Sequence, residues 1–361
     1  MEKRIAAYRG CLLGLAVGDA MGYTVDNKSW DEICADYGPN GLLGYDLVNG
    51  TADISSYTQL CAFMCNGLML GAIRANPELL PRYMAMSLRE WAKSQQFRGT
   101  TEKTNCWLAQ VPEMRRRHCM DTRMLDALSR DTFGTPEKPV FRSTTPAAIT
   151  TAVAVGLGTL PANIEAKNIG ALGAQAVAFT HGDPDSFLAG AFVAYAVAGI
   201  LQQPDDALST HFNRAIEAVN LLYGEKYPET EAVLSRIRRA MELTKDAELT
   251  TLAAMTLLGC TTASECVAGA VYASMIHMSN FDEGMIAAVN HSGRSAAVGA
   301  LTGAFLGARL GADALPEFYL ESLEPAMVLC ELADDLTQAK IVMRIFDDSW
   351  DTKYVQGMPA K

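Results

Sequence analysis

Three things are scarce in this chain of 361 residues, and each scarcity excludes a class of protein. Alternating apolar and polar runs of strand period are nearly absent, which leaves helices to build the core. Positive charge is short: 30 Lys and Arg stand against 41 Asp and Glu, a formal net charge of -11. Binding through nucleic-acid phosphates requires a positive surface, so no DNA or RNA partner is expected. The densest basic run, Arg115-Arg116-Arg117-His118, is soon followed by Asp121 and Asp126 and reads as a solvated helix face. The most apolar segments, Phe187–Leu201 and Ala296–Leu306, fall short of the roughly 20 residues that span a bilayer. They read as buried helices, and no membrane partner is expected.

Metal-type cysteine spacing is also missing. The nine cysteines are an odd number, and Cys11, Cys61, Cys65, Cys260 and Cys330 sit among apolar residues. Free thiols in a reducing compartment explain this better than a disulfide framework. Asp19 interrupts the apolar run behind Met1-Glu2-Lys3-Arg4, so no secretory leader is expected and the chain reads as cytoplasmic. Nothing resembles a linker, and apolar segments recur from Leu12 to Val342, so a single domain over residues 1–361 is expected. A chain of this size buries roughly three quarters of its unfolded surface, enough for an internal pocket.

What is present is helical punctuation. Residues 4–22 read as a helix in which Gly10, Gly14, Gly18 and Gly22 recur every fourth position, and Gly299, Gly303 and Gly307 repeat the spacing near the other end. Glycine costs about 1 kcal/mol against alanine inside a helix, so two such stripes imply two helices packed backbone to backbone. Between them, helices are expected at 56–75, 78–95, 147–158, 165–179, 185–202, 206–223, 228–244, 249–258, 262–276 and 281–289, then at 295–309 and 323–346. Residues 23–50 read as an irregular loop around Tyr37-Gly38-Pro39-Asn40-Gly41, and Pro and Gly break the chain again at 131–146. The expected fold is therefore all-α.

Three segments place polar groups at the mouths of apolar helices. Ser55-Ser56-Tyr57-Thr58 opens one, and a serine N-cap accounts for it alone. His181-Gly182-Asp183-Pro184-Asp185 opens another with a strong Asp-Pro start. Asn290-His291-Ser292-Gly293-Arg294-Ser295 runs into the second glycine helix, where backbone N–H groups suit an anion.

Taken in order, with Arg9-Gly10-Cys11-Leu12-Leu13-Gly14-Leu15-Ala16-Val17-Gly18-Asp19-Ala20-Met21-Gly22 before them and Glu331-Leu332-Ala333-Asp334-Asp335-Leu336 after, these segments resemble the ADP-ribosylglycohydrolase family. The resemblance implies an all-α fold that removes ADP-ribose from modified side chains with two Mg²⁺ ions in a central cleft. Hard dications need several oxygen ligands, mostly carboxylates. Here the family's Thr-Asp-Asp-Thr corresponds to Ser55-Ser56-Tyr57-Thr58, and its Gly-Asp-Ser/Thr-Asp to Gly293-Arg294-Ser295-Ala296. Ile149-Thr150 falls where relatives carry Met-Arg, and Asp26 stands for the acidic flap residue, usually Glu. Asp53 is near the first motif but out of register.

With four carboxylates replaced, no metal ligand set and no cofactor are expected. Arg294 reads as a substitute for metal, paired with Asp26, Asp183 or Asp185, or gripping a ligand phosphate. The expected function is a degenerate family member whose remodelled cleft takes an ADP-ribose-type molecule or an ADP-ribosylated protein. Ser55, Ser56, Tyr57, His181 and Asn290 to Ser295 would bind that ligand. The alternatives are a metal-independent hydrolase with Asp26 or Asp183 as general base, and a structural protein, as among the family's lens-crystallin relatives.

Overall fold

The computed structural model describes residues 1–96, 104, 106–118, 121–159, 161–342 and 348–357. In chain order its helices are α1 (Glu2–Val25), α2 (Trp30–Tyr37), α3 (Ser56–Arg74), α4 (Leu80–Gln96), α5 (Thr122–Ser129), α6 (Thr150–Gly158), α7 (Ala166–Ala178) and α8 (Pro184–Gln202). They continue as α9 (Leu208–Tyr223), α10 (Thr230–Leu243), α11 (Thr251–Leu258), α12 (Ala263–Ile276), α13 (Phe281–Val289), α14 (Ser295–Leu310), α15 (Glu317–Ser322) and α16 (Ala326–Val342). Among the described residues there is no strand, only isolated bridges between Val48 and Thr51 and between Ala52 and Leu323. The fold is all-α.

The glycine stripes meet. A methyl group built on Gly10, Gly14, Gly18 or Gly22 would lie 2.1, 2.2, 2.0 or 2.3 Å from the carbonyl oxygen of Gly307, Gly303, Gly299 or Ser295. Rising numbers on α1 meet falling numbers on α14, so the two helices run antiparallel with their backbones in contact. This pair is the central post. α3, α13 and α16 pack against α1, while α8 and α12 pack against α14. The geometry also carries the carboxyl end of α1 to the amino end of α14, where Gly22 meets Ser295.

α8 is 19 residues long and apolar enough to cross a membrane by length and composition, longer than its most apolar stretch suggests. Yet 83% of its most apolar window is buried, against α6, α7 and α9, which makes it a core helix.

Four expectations need correction. The 23–50 segment is not wholly irregular: Ser29 accepts from the Glu32 N–H and the Glu32 carboxylate accepts from the Ser29 N–H, a capping box that starts α2. A helix between Arg115 and the Pro-rich break was not anticipated; Asp121 caps α5 by accepting from the Arg123 N–H. The helix expected at 323–346 begins only at Ala326, because Pro325 disfavours helical backbone before it, and α15 precedes it; residues 343–346 lie outside the described residues. The basic run is no helix face: a 3₁₀ turn ends at Arg115, and the Arg116 side chain pairs with Asp53 and Glu324. Gln59 and Gln95 hold its backbone as well, both donating to the Arg116 carbonyl.

Candidate functional site

The site grows from Asp19, a carboxylate inside the most buried part of α1. Burying a charge without partners is costly, so its surroundings must supply donors. They come from the start of α3. Oδ2 accepts the Ser55 N–H at 3.0 Å, the Thr58 N–H at 3.0 Å and the Thr58 hydroxyl at 2.6 Å, and Oδ1 accepts the Ser55 hydroxyl at 2.5 Å. Burial still pushes the Asp19 carboxyl up to about 6 against the pull of those bonds. Ser55 and Thr58 are thereby occupied in seating α3, and Ser55 also caps the helix through the Tyr57 N–H. Ser56, at the first helical position, is half-buried.

Tyr57 follows, 5% exposed, with its carbonyl accepting the Thr150 hydroxyl at 2.7 Å. Its phenol points to the start of α14 and lies beside the Arg294 guanidinium, so that charge and side-chain hydrogen bonding couple the two. Asp26 closes the group: Arg294 Nε lies 3.6 Å from Asp26 Oδ2, and Asp26 Oδ1 accepts the Ala296 N–H at 3.2 Å. Asn27 bridges the two, donating to Asp26 at 2.8 Å and accepting from Arg294 Nη1 at 3.0 Å. Burial raises the Asp26 carboxyl above the usual range, and the guanidinium opposes that shift. The two motifs paired by sequence therefore converge as a buried phenol, a guanidinium and one carboxylate, with the Cys266 thiol close by.

Of the three acids open to Arg294, the structure selects Asp26. Asp183 caps α8, accepting from the Asp185 N–H at 3.0 Å. Asp185 accepts from the Ser264 N–H and hydroxyl and pairs with Arg236 at 3.1 Å, tying α8 to α12 and α10.

His181 belongs to a neighbouring buried group. Its ring nitrogens face the Thr145 and Thr180 hydroxyls at 3.0 and 2.8 Å, and burial lowers its pKa to about 4, so it is neutral near pH 7. His291 is likewise buried and lowered to about 4, with Nε2 3.0 Å from the Ala288 carbonyl. Ser295 donates to the His291 carbonyl at 3.4 Å.

The rest of the 290–293 segment fastens residues 27–42. Asn290 accepts from the Leu42 N–H and donates to the Leu42 and Ile286 carbonyls at 2.8 to 2.9 Å. Ser292 accepts the Trp30 N–H at 2.7 Å, and the Gly293 carbonyl accepts the Asn27 N–H at 3.1 Å. Asn290→Ala is expected to free residues 38–42, costing roughly 2–3 kcal/mol for three lost bonds. Faster amide exchange confined to that segment is the measurement; unchanged exchange would contradict the assignment.

Sequence reasoning missed Asp19 and Asn27 as site-builders. An acid in an otherwise apolar glycine helix was the available signal for Asp19. Asn27 carried none, because its role depends on φ = 64° and on Arg294 arriving from the far end of the chain.

The donor set around Arg294 does not fit paired Mg²⁺ ions. Among the described residues no three His, Cys, Asp or Glu side chains lie close enough to hold a metal. At an effective dielectric of 20, two like unit charges 4 Å apart repel by about 4 kcal/mol. A guanidinium fixed by Asp26 and Asn27 opposes a dication beside it.

Comparison with known proteins gives the frame. The ADP-ribosylglycohydrolase family model matches residues 1–344. Among solved structures, a chain titled ADP-ribosylglycohydrolase-related protein complex superposes with a TM-score of 0.60 at 19% identity, covering 94% of this chain and 99% of that one. At that identity the likeness speaks for the fold alone. No curated protein matches.

Proposed function

The chain belongs to the ADP-ribosylglycohydrolase family, and we propose that it is a member without two-metal hydrolysis, whose cleft holds an ADP-ribose-type ligand through Arg294. The observation that carries this is the convergence of Tyr57 and Arg294, which correspond to acids of the family's two metal motifs, with Asp26, the counterpart of the family's acidic flap residue. Arginine suits an oxyanion, since its planar fork gives charge-assisted hydrogen bonds to phosphate. The Tyr57 phenol and the Arg294 guanidinium, side by side, can present neighbouring donors to one acceptor. A diphosphate on a free nucleotide or on an ADP-ribosylated protein supplies it.

Calorimetry with ADP-ribose tests the proposal. Saturable binding is expected, weakened about tenfold or more by Arg294→Ala, as for loss of a charge-assisted bond. Binding unaffected by that variant, or no binding together with a stable complex with another protein, would point to a structural role instead.

A metal-independent hydrolase is the second proposal, favoured by one observation: Asp26, raised by burial, sits directly beside the cation. A carboxylate held beside a cation can serve as a general base. Turnover of ADP-ribosyl-arginine or ADP-ribosyl-serine substrates, abolished by Asp26→Asn, would support it. No turnover on either substrate would remove it.

A further inference from the structure

A cavity of about 570 Å³ lies at the opposite end of the central post, between the first turns of α1, the turn after α6 and the turn after α8. From Arg4 to Asp26 is 22 residues of helix, or about 33 Å at 1.5 Å per residue, so this cavity is separate from the candidate cleft. Its volume falls within the range of small-molecule sites. Its walls divide by chemistry. Ala7, Ile164 and Leu201 supply an apolar side, while Lys3, Arg4 and Tyr8 supply donors.

Arg4 has donors to spare. Arg4 Nε is buried with no hydrogen-bond partner, and the only bond of its guanidinium among the described residues is a long one, 3.5 Å from Nη2 to the Thr337 carbonyl. Tyr8 is 3% exposed, and its hydroxyl has the Arg4 charge and the Thr159 hydroxyl beside it. Neither Lys3 nor Arg4 enters an ion pair among the described residues, in a chain whose net charge is -11. One carboxylate, Asp205, lines the rim. A buried unpaired guanidinium donor is expensive unless an acceptor arrives, and here the acceptor has room to do so.

We propose that this cavity is a second binding site, for a small organic oxyanion with an apolar body, whose charged end meets Arg4 and Tyr8 while the body rests on Ile164 and Leu201. A carboxylate and a phosphate ester share this chemistry, and the probes separate them. The test is calorimetry on the full chain with benzoate and, separately, phenyl phosphate, each at millimolar concentration. One of the two is expected to bind saturably, and that one names the oxyanion. Arg4→Gln is expected to weaken binding about tenfold or more, and Tyr8→Phe by a smaller factor, the size of one neutral hydrogen bond. Circular dichroism and melting of both variants establish that they fold. If Arg4→Gln does not fold, Tyr8→Phe, which removes a single oxygen, carries the test alone. Failure of both probes to bind, or affinity unchanged in the folded variants, would overturn the proposal.

Discussion

Gly303→Ala is expected to destabilise the folded chain by about 3 kcal/mol or more, at the upper end of what overpacking a core costs. The added methyl would stand 1.9 Å from the Gly14 carbonyl oxygen and 2.5 Å from its carbon, and both atoms are backbone. No rotamer change relieves that. α1 and α14 must separate by more than an ångström, and the strain spreads to Gly10, Gly18 and Gly22, whose contacts share the same axis. Gly44→Ala is the control, since a methyl there meets nothing within 4 Å. Denaturant melts of the two variants should differ by that margin. A loss below about 0.5 kcal/mol for Gly303→Ala, the size of an ordinary surface change, would mean the helices are not in backbone contact.

Asp19→Asn is expected to be the second most damaging change. Both carboxylate oxygens accept, one from Ser55 alone and the other from Ser55 and Thr58 together. An amide must turn its own donors toward one of these sets. Each unmet buried donor costs roughly 1–3 kcal/mol, so a total of about 2–5 kcal/mol is expected. The effect carries a pH signature. The folded carboxyl titrates near 6, whereas an unfolded aspartate titrates at about 3.9. Between those values the folded chain binds the proton more tightly, so this group's contribution to stability falls as pH rises from about 4 to about 6 and is constant above. Asp19→Asn should remove that slope. Denaturant melts across this interval, wild type minus variant, give the result; a difference that grows with pH would show instead that the four donors hold Asp19 ionised.

The sequence was most legible where the physics is local or periodic. Four-residue glycine spacing announced two helices in close contact, and the backbones meet so closely that a methyl group added at any of these glycines would lie near 2 Å from a facing carbonyl oxygen. The Asp183-Pro184 start of α8 was readable for the same reason. α2 was not: its capping box is written in Ser29 and Glu32, but eight residues give too little periodicity against the turn signal of Gly38-Pro39-Asn40-Gly41. Partner choice was the least legible. Arg294 had three acids in view, and only the fold shows that Asp185 is already bound by Ser264 and Arg236, which lie 79 and 51 residues away from it. The same holds for Asn290, whose partner Leu42 is 248 residues distant. A polar loop at a helix mouth suggests a ligand, yet most of this one is spent holding residues 27–42.

The guanidinium held by Asp26 and Asn27 is proposed to stand in for the two dications that the family resemblance implies. Metal analysis of the purified protein, followed by Mn²⁺ titration read by electron paramagnetic resonance, tests it most directly. The expected result is no stoichiometric metal and no saturable Mn²⁺ binding. Two ions bound per chain, giving an exchange-coupled signal, would contradict it.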